Sequence, residues 1–183
     1  MIYQNPLPAG AIRRAVPYMA QNNIACCFET LEKNVFNLVD QRVLDLLALV
    51  GMAHVVPECA DVSNLNAEVY QLTAYVSAEQ EPDLMRLMPG CKAVRWYPTF
   101  VNVIGEQSGK PVGIAKVCEK YGLGIDEIMA FGDGGNDVDM LRFAGTGVAM
   151  GNAADNVKQA ADYVTADIDD DGVFKALKHF DVI

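Results

Sequence analysis

"EIMAFGDGGNDVDMLRFAG", residues 127–145, is the stretch on which the reading of this chain turns. A short, almost wholly apolar run ends at Phe131, as expected of a strand buried on both faces in a parallel sheet. A turn follows that crowds Asp133, Asn136, Asp137 and Asp139 among glycines 132, 134 and 135. Residues 135–144 then read as a helix. In open parallel sheets, ligands sit beyond the carboxyl ends of the strands, and 132–137 falls there. Asp133, two residues past the apolar run, would point its carboxylate into that crevice. Magnesium takes a few hard oxygen ligands and leaves the rest of its shell to water and phosphate. The glycines let the backbone turn tightly and approach a ligand. The N–H groups where Asn136 and Asp137 open the helix favour an anion. The bland alternative, a solvated acidic turn, accounts poorly for so extended a pattern as G-D-G-x-N-D-x-x-M-L.

Around this stretch helix and strand alternate. "KPVGIAKVCEKYGL" (110–123) reads as a helix, "TGVAM" (146–150) as a strand, and "AADNVKQAA" (153–161) as a helix. "DYVTA" (162–166) and "DGVFKALKHF" (171–180) follow as a strand and a closing helix. That rhythm implies a layered α/β unit with parallel strands. Upstream of residue 106 the pattern is α+β. Residues 8–23 read as a helix that Pro17 should bend or shorten. "IACCFET" and "NVFNLV" are strand-like runs around the turn "LEKN". Residues 40–50 form an amphipathic helix with Asp40 as cap. "VYQLTAYV" (69–76) is rich in β-formers. "SAEQEPDLMRLM" (77–88) reads as a helix capped by Ser77 and stopped by Pro89-Gly90. "KAVRWYP" and "FVNVIGE" read as two strands around Pro98-Thr99. Arg95, Trp96 and Tyr97 there could stack on a sugar or a base, although packing with the arginine stem along apolar surface is the plainer reading.

The 183 residues carry 24 acids against 14 bases, a formal charge of −10. No basic face for nucleic acid is expected. Five cysteines, without a C-x-x-C, suggest buried free thiols rather than zinc or a disulfide framework. His54 and His179 stand alone and suggest no metal site. No apolar run approaches the roughly 18 residues of a membrane span, and the start lacks the regions of a signal peptide. A cytoplasmic location is expected.

Gly132-Asp133-Gly134-Gly135-Asn136-Asp137-Val138-Asp139-Met140-Leu141 resembles the fourth motif of the haloacid dehalogenase (HAD) superfamily, and within it the Cof-like phosphatases with a large α/β cap. "GVAMGNA" (147–153) and "VTADIDDDGVFKAL" (164–177) are similar to the family's following strand and closing segment. "SGKPVGIAKVCEKYGL" (108–123) resembles its lysine motif, with Pro111 in place of the usual glycine. The resemblance implies a partial HAD-like (Rossmannoid) parallel-sheet core over residues 106–183. It implies a hinge and an α+β cap that selects substrate over residues 1–105. By the same resemblance Asp133 would ligate Mg²⁺, and Asp137 would support the metal waters or Lys110. Asn136 would contact phosphate or nearby substrate oxygens, and Lys110 would neutralise the transferring phosphoryl group. The substrate would be a small phosphorylated metabolite, with neither nucleic acid nor membrane as a partner.

In the resembled family an aspartate of an N-terminal D-x-D-G-T motif takes the phosphoryl group and passes it to water, which is covalent catalysis by a carboxylate. No such motif opens this chain. Asp169-Asp170-Asp171-Gly172-Val173 fits a permuted version on paper, but only ten residues follow it and the stretch already matches the closing segment. The nucleophile is therefore expected in a segment outside these residues, and the chain alone is expected to be inactive. The sheet it leaves should present an open edge prone to self-association. The competing expectation is a non-catalytic remnant, a binding or regulatory module or one half of a split protein.

Overall fold

The computed structural model describes residues 1–183. The chain divides into two compact units, one of Asn5–Ser108 and one of Met1–Gln4 with Gly109–Ile183. No helix is long and apolar enough to cross a membrane.

The Asn5–Ser108 unit contains α1 (Ala9–Gln21), β1 (Cys26–Glu29), β2 (Asn34–Phe36), α2 (Gln41–Leu49), β3 (Gln71–Ala74), α3 (Glu81–Arg86), β4 (Cys91–Tyr97) and β5 (Phe100–Gly105). Its strands form one antiparallel sheet in the order β2-β1-β3-β5-β4. Period-two alternation divides the sheet into two faces. Cys26, Phe28, Leu72, Ala74, Val101 and Val103 point to one of them and pack with Ala11, Ala15 and Met19 of α1 and Leu84 of α3. On the other face Cys27, Phe36, Tyr75 and Phe100 pack with Val43 of α2. α2 is held by its cap as the sequence suggests, since the Asp40 side chain accepts from Arg42 N at 2.9 Å.

Pro17 stands inside α1 without ending it. The apolar stripe Ala11, Ala15, Met19 is fully buried, and that burial outweighs the one backbone bond a proline removes. Ser77 is not the cap of α3. The helix begins at Glu81, and Ser77 O instead accepts from Glu81 N at 3.1 Å. Pro82, in the first turn, suits a start at this later point.

Arg95 is consumed by the fold. Its guanidinium donates to Glu81 Oε2 at 2.8 Å, and to the carbonyls of Val76 at 3.0 Å, Pro98 at 2.9 Å and Phe100 at 3.0 Å. It therefore ties the β4–β5 turn to α3 and the end of β3. Trp96 and Tyr97 pack on Phe100, with ring centroids 4.9 and 5.7 Å away. The packing reading holds for all three residues.

The second unit contains α4 (Lys110–Tyr121), β6 (Met129–Gly132), α5 (Val138–Phe143), β7 (Thr146–Ala149), α6 (Asp155–Lys158), β8 (Tyr163–Val164) and α7 (Gly172–His179). β6, β7 and β8 form a parallel sheet in that order. Two elements are shorter than the sequence suggests. The helix expected over 153–161 is one turn, and the strand expected over 162–166 is two residues paired on a single side. Leu141, Ala149, Ala153 and Val157 form the local core.

The five cysteines are free. Cys26, Cys27 and Cys118 are buried, but Cys59 is exposed, contrary to the expectation that all are buried. Burial, with Glu29 nearby, pushes the Cys27 thiol up to about 12, so it stays protonated near neutrality.

Arg95→Met is expected to lower stability by about 1–3 kcal/mol, because Glu81 and three carbonyls lose a charged donor together. Arg95→Lys should recover only part of this, since an ammonium cannot span the same fork. Urea unfolding followed by far-ultraviolet circular dichroism measures both.

Candidate active site

The acidic loop begins where β6 ends. Gly132 closes the strand, a 3₁₀ turn covers Gly135–Asp137, and α5 follows. What shapes the loop is the Asp137 carboxylate folding back over it. Its Oδ2 accepts from Asp133 N at 3.1 Å and Gly134 N at 3.0 Å. Its Oδ1 accepts from Lys110 Nζ, forming an ion pair. The fold-back needs space beside the strand end, because a Cβ at position 132 would stand 2.5 Å from Asp137 Cβ. Glycine is required there for close approach, not for an unusual φ.

Lys110 arrives from the other side. It is the first residue of α4, and Gly109 before it has φ 132° and ψ 166°. That region of backbone space is essentially closed to residues with a Cβ. A lysine at a helix N-terminus works against the helix dipole, and the ion pair with Asp137 offsets the conflict. Asp137 has only 7% of its side chain exposed, against 47% for Lys110, so the pair is buried at its acid end and open at its ammonium end. Burial pushes the Asp137 carboxyl up. The bonds from Lys110, Gly134 and Asp133, together with the lysine charge, outweigh that and hold it below the ordinary aspartate value.

Lys110, Asp133 and Asp137 line one cleft of about 460 Å³, with Phe131, Met140, Met150, Ile168 and Val173 as its apolar walls. Asn136 is not among the lining residues. It sits half-buried on the 3₁₀ turn. From the closing segment the cleft receives Ile168 and Val173, while Asp169 and Asp171 are exposed and line nothing. The permuted nucleophile therefore has no support in the geometry.

Asn152 joins the site without having been singled out by sequence. Its Nδ2 donates to Asp133 Oδ2 at 3.2 Å, and its Oδ1 accepts from Ile168 N at 3.3 Å. It ties Asp133 to the closing segment. The only hint in sequence is its place in "GVAMGNA", one residue beyond a glycine after a strand.

No group of three or more His, Cys, Asp or Glu side chains is gathered as a ready metal cage. The donor chemistry still suits magnesium in one respect. Asp133 is exposed, and its carboxylate receives a single side-chain bond, so oxygen lone pairs remain for a hard cation. Asp137 is occupied by three donors and suits a supporting role.

A ligand loop at the carboxyl ends of parallel strands, flanked by helices, places this unit among the Rossmann-like α/β proteins. Within that class the chain belongs to the haloacid dehalogenase-like hydrolases, whose family model matches residues 1–177, and among them to the Cof-like phosphatases. YkrA of Bacillus subtilis (strain 168) is 33% identical over 184 residues, spanning 100% of this chain and 70% of that protein. The 5-amino-6-(5-phospho-D-ribitylamino)uracil phosphatase YitU of the same organism is 30% identical over 186 residues, 97% of this chain and 68% of its own. A solved structure of a HAD subclass IIB sugar phosphatase superposes with a TM-score of 0.87 at 35% identity, covering 100% of this chain and 70% of that one.

Asp137→Asn is expected to lower stability by about 1–3 kcal/mol near neutral pH, through loss of a charged acceptor for three donors. The native carboxyl titrates below its unfolded value of about 3.9. Its contribution is therefore complete above that value and is lost as pH falls through the lower folded value. The gap between wild type and variant should close below about pH 4, as chemical denaturation across pH 3–7 would reveal.

Proposed function

We propose that this chain carries the lysine and metal-binding half of a Mg²⁺-dependent phosphohydrolase site acting on small phosphate monoesters, with the attacking aspartate supplied by a segment outside these 183 residues. The observation that supports it best is the meeting of Lys110, Asp133 and Asp137 on one cleft from two separate elements. The family resemblance implies the same residues and roles and supports this reading. In this reading residues 1–105 serve as hinge and cap, and residues 106–183 as the second half of the core.

Phosphoryl transfer asks a protein mainly for positioning and for neutralisation of the three equatorial oxygens. Lys110 presents a fixed ammonium, held by Asp137 and open toward the cleft. Asp133 would hold Mg²⁺, which when bound supplies further positive charge to the phosphoryl oxygens. Asn152 keeps the Asp133 carboxylate turned toward the cleft. Asn136 would reach phosphate or neighbouring substrate oxygens from the turn. The apolar walls would lower the local dielectric and strengthen these interactions. The phosphoryl group would pass to the external aspartate and then to water.

The names of two relatives support a substrate class. One is named for a sugar phosphate activity and one for a phosphoribitylamino compound. Both names denote a phosphate ester on a polyhydroxylated carbon chain, and we assign the same class here.

β6 has a strand neighbour on one side only. Its free edge would pair with a second copy or with the segment that brings the nucleophile.

Two measurements test this reading. The 183-residue chain should hydrolyse an aryl phosphate negligibly in Mg²⁺, and fusion to a D-x-D-G-T segment encoded upstream in frame should restore turnover that Asp133→Ala or Lys110→Ala abolishes. Robust turnover by the chain alone, lost in Asp133→Ala, would overturn the external nucleophile. Separately, light scattering coupled to size exclusion should show concentration-dependent dimers that weaken when Met129→Pro removes an N–H from the free edge of β6, residues 128, 130 and 132 being the ones that face β7. A clean monomer at high concentration would overturn the edge pairing.

A further inference from the structure

α1 and the segment 60–69 form the two walls of a trough within the Asn5–Ser108 unit. Two hollows of about 270 and 620 Å³ lie along it, and Val16, Val62 and Ser63 line both. The α1 wall runs from Ala9 to Ala20, a rise of about 17 Å. The middle of the trough is apolar. Ile12, Val16 and Leu65 are half-buried there, beside the buried Val62 and Val69.

The two ends differ in charge. Arg13 is exposed at the end nearer Ala9, and Asp61 is exposed at the other, with Met19 and Ala20. Neither takes part in any of the molecule's ion pairs. Asp61 Oδ1 accepts from Ser63 N at 2.9 Å, which leaves Oδ2 for a ligand. α1 has no acid in its first turn and no base in its last. Its dipole is therefore uncompensated by its own side chains and runs in the same sense, positive toward Arg13 and negative toward Asp61. Pro17 adds an acceptor. It has no N–H, so the carbonyl of Arg13 four residues back lacks its helical donor, and both residues line the trough. On the facing wall Ser63, Asn64 and Asn66 are exposed polar residues.

An apolar floor between opposite charges is selective. A lipid carries its charge at one end and would set methylenes against the other. A small metabolite is too short to meet both charges. An extended peptide reaches, since five residues cover about 17 Å. Its N–H and C=O groups need partners, and the Arg13 carbonyl and the polar wall offer them. We propose that the trough between α1 and residues 60–69 is a docking site for an extended peptide segment of a protein partner, apolar in its middle, with an acidic residue at the Arg13 end and a basic residue at the Asp61 end. The site makes no use of Lys110, Asp133 or Asp137, so it holds whether or not the phosphatase reading does.

The test is ¹⁵N-resolved NMR titration of the full chain with acetyl-Glu-Leu-Val-Leu-Lys-amide and with its Glu…Glu, Lys…Lys and Gln…Gln counterparts. The Glu…Lys peptide should shift the amides of Val16, Val62 and Ser63 and bind about fivefold tighter than the Gln…Gln peptide, as two exposed ion pairs allow. Arg13→Glu should make the Lys…Lys peptide the tightest of the four. Asp61→Asn keeps the oxygen that accepts from Ser63 N, and should bring the Glu…Lys and Glu…Glu peptides to equal affinity. Equal affinity of all four peptides for the unaltered chain would overturn the charge pairing and the proposal with it. Absence of shifts at Val16, Val62 and Ser63 would overturn docking in the trough. Shifts of those amides on dilution of the chain alone would show a second copy filling the trough, and would overturn the peptide as its occupant.

Discussion

One carboxylate organises the unit of Gly109–Ile183. Asp137 faces three donors at once, two of them amides of its own loop and the third an ammonium from a helix that begins 27 residues earlier. The amide bonds shape the turn after β6, and the ion pair fixes where α4 begins relative to it. Neither arrangement is independent of the other. Remove the carboxylate and the loop amides lose their acceptor, while Lys110 is left at the positive end of a helix dipole with no compensating charge. Gly132 follows from the same constraint, since the strand end must leave space for a side chain folding back on it.

The division between Asp133 and Asp137 follows from hydrogen bonding rather than from residue type. Both are aspartates four residues apart in an acidic turn. Asp137 is buried and meets three donors, so most of its lone pairs are committed. Asp133 is exposed and meets one neutral donor, Asn152. Only the second has capacity for a ligand. A sequence pattern can place both acids at a strand end, but it cannot count their donors.

That limit marks what was legible in the chain and what was not. The parallel strands were legible because β6 is short and apolar and β7 nearly so, a pattern that burial within a sheet writes locally. The Asp40 cap was legible for the same reason, its acceptor and donors lying within three residues. The start of α3 was not, because Ser77 has the character of a cap and only Pro82 in the first turn speaks for the later start at Glu81. Arg95 beside Trp96 and Tyr97 looked equally suited to binding or packing. Bonds to Glu81 and to the carbonyls of Val76, Pro98 and Phe100 decided it, and two of those partners, Glu81 and Val76, lie 14 and 19 residues away. Asn152 escaped notice because its two partners, Asp133 and Ile168, lie 19 and 16 residues away.

Charge shows why a metal belongs in the proposed chemistry at all. The cleft is lined by two carboxylates and one ammonium, a formal −1 from −2 and +1. A phosphate monoester is close to a dianion near neutrality, and apolar walls such as Phe131, Met140 and Val173 would magnify its repulsion from Asp133. Lys110 cannot reverse this alone, because its charge is already shared with Asp137. In the proposed reading a further cation would accompany the phosphate, and of the two acids on the cleft Asp133 is the one with uncommitted oxygens to receive it. The acidic character that would exclude an anionic substrate from the bare cleft is thus what the metal-assisted reading requires of it.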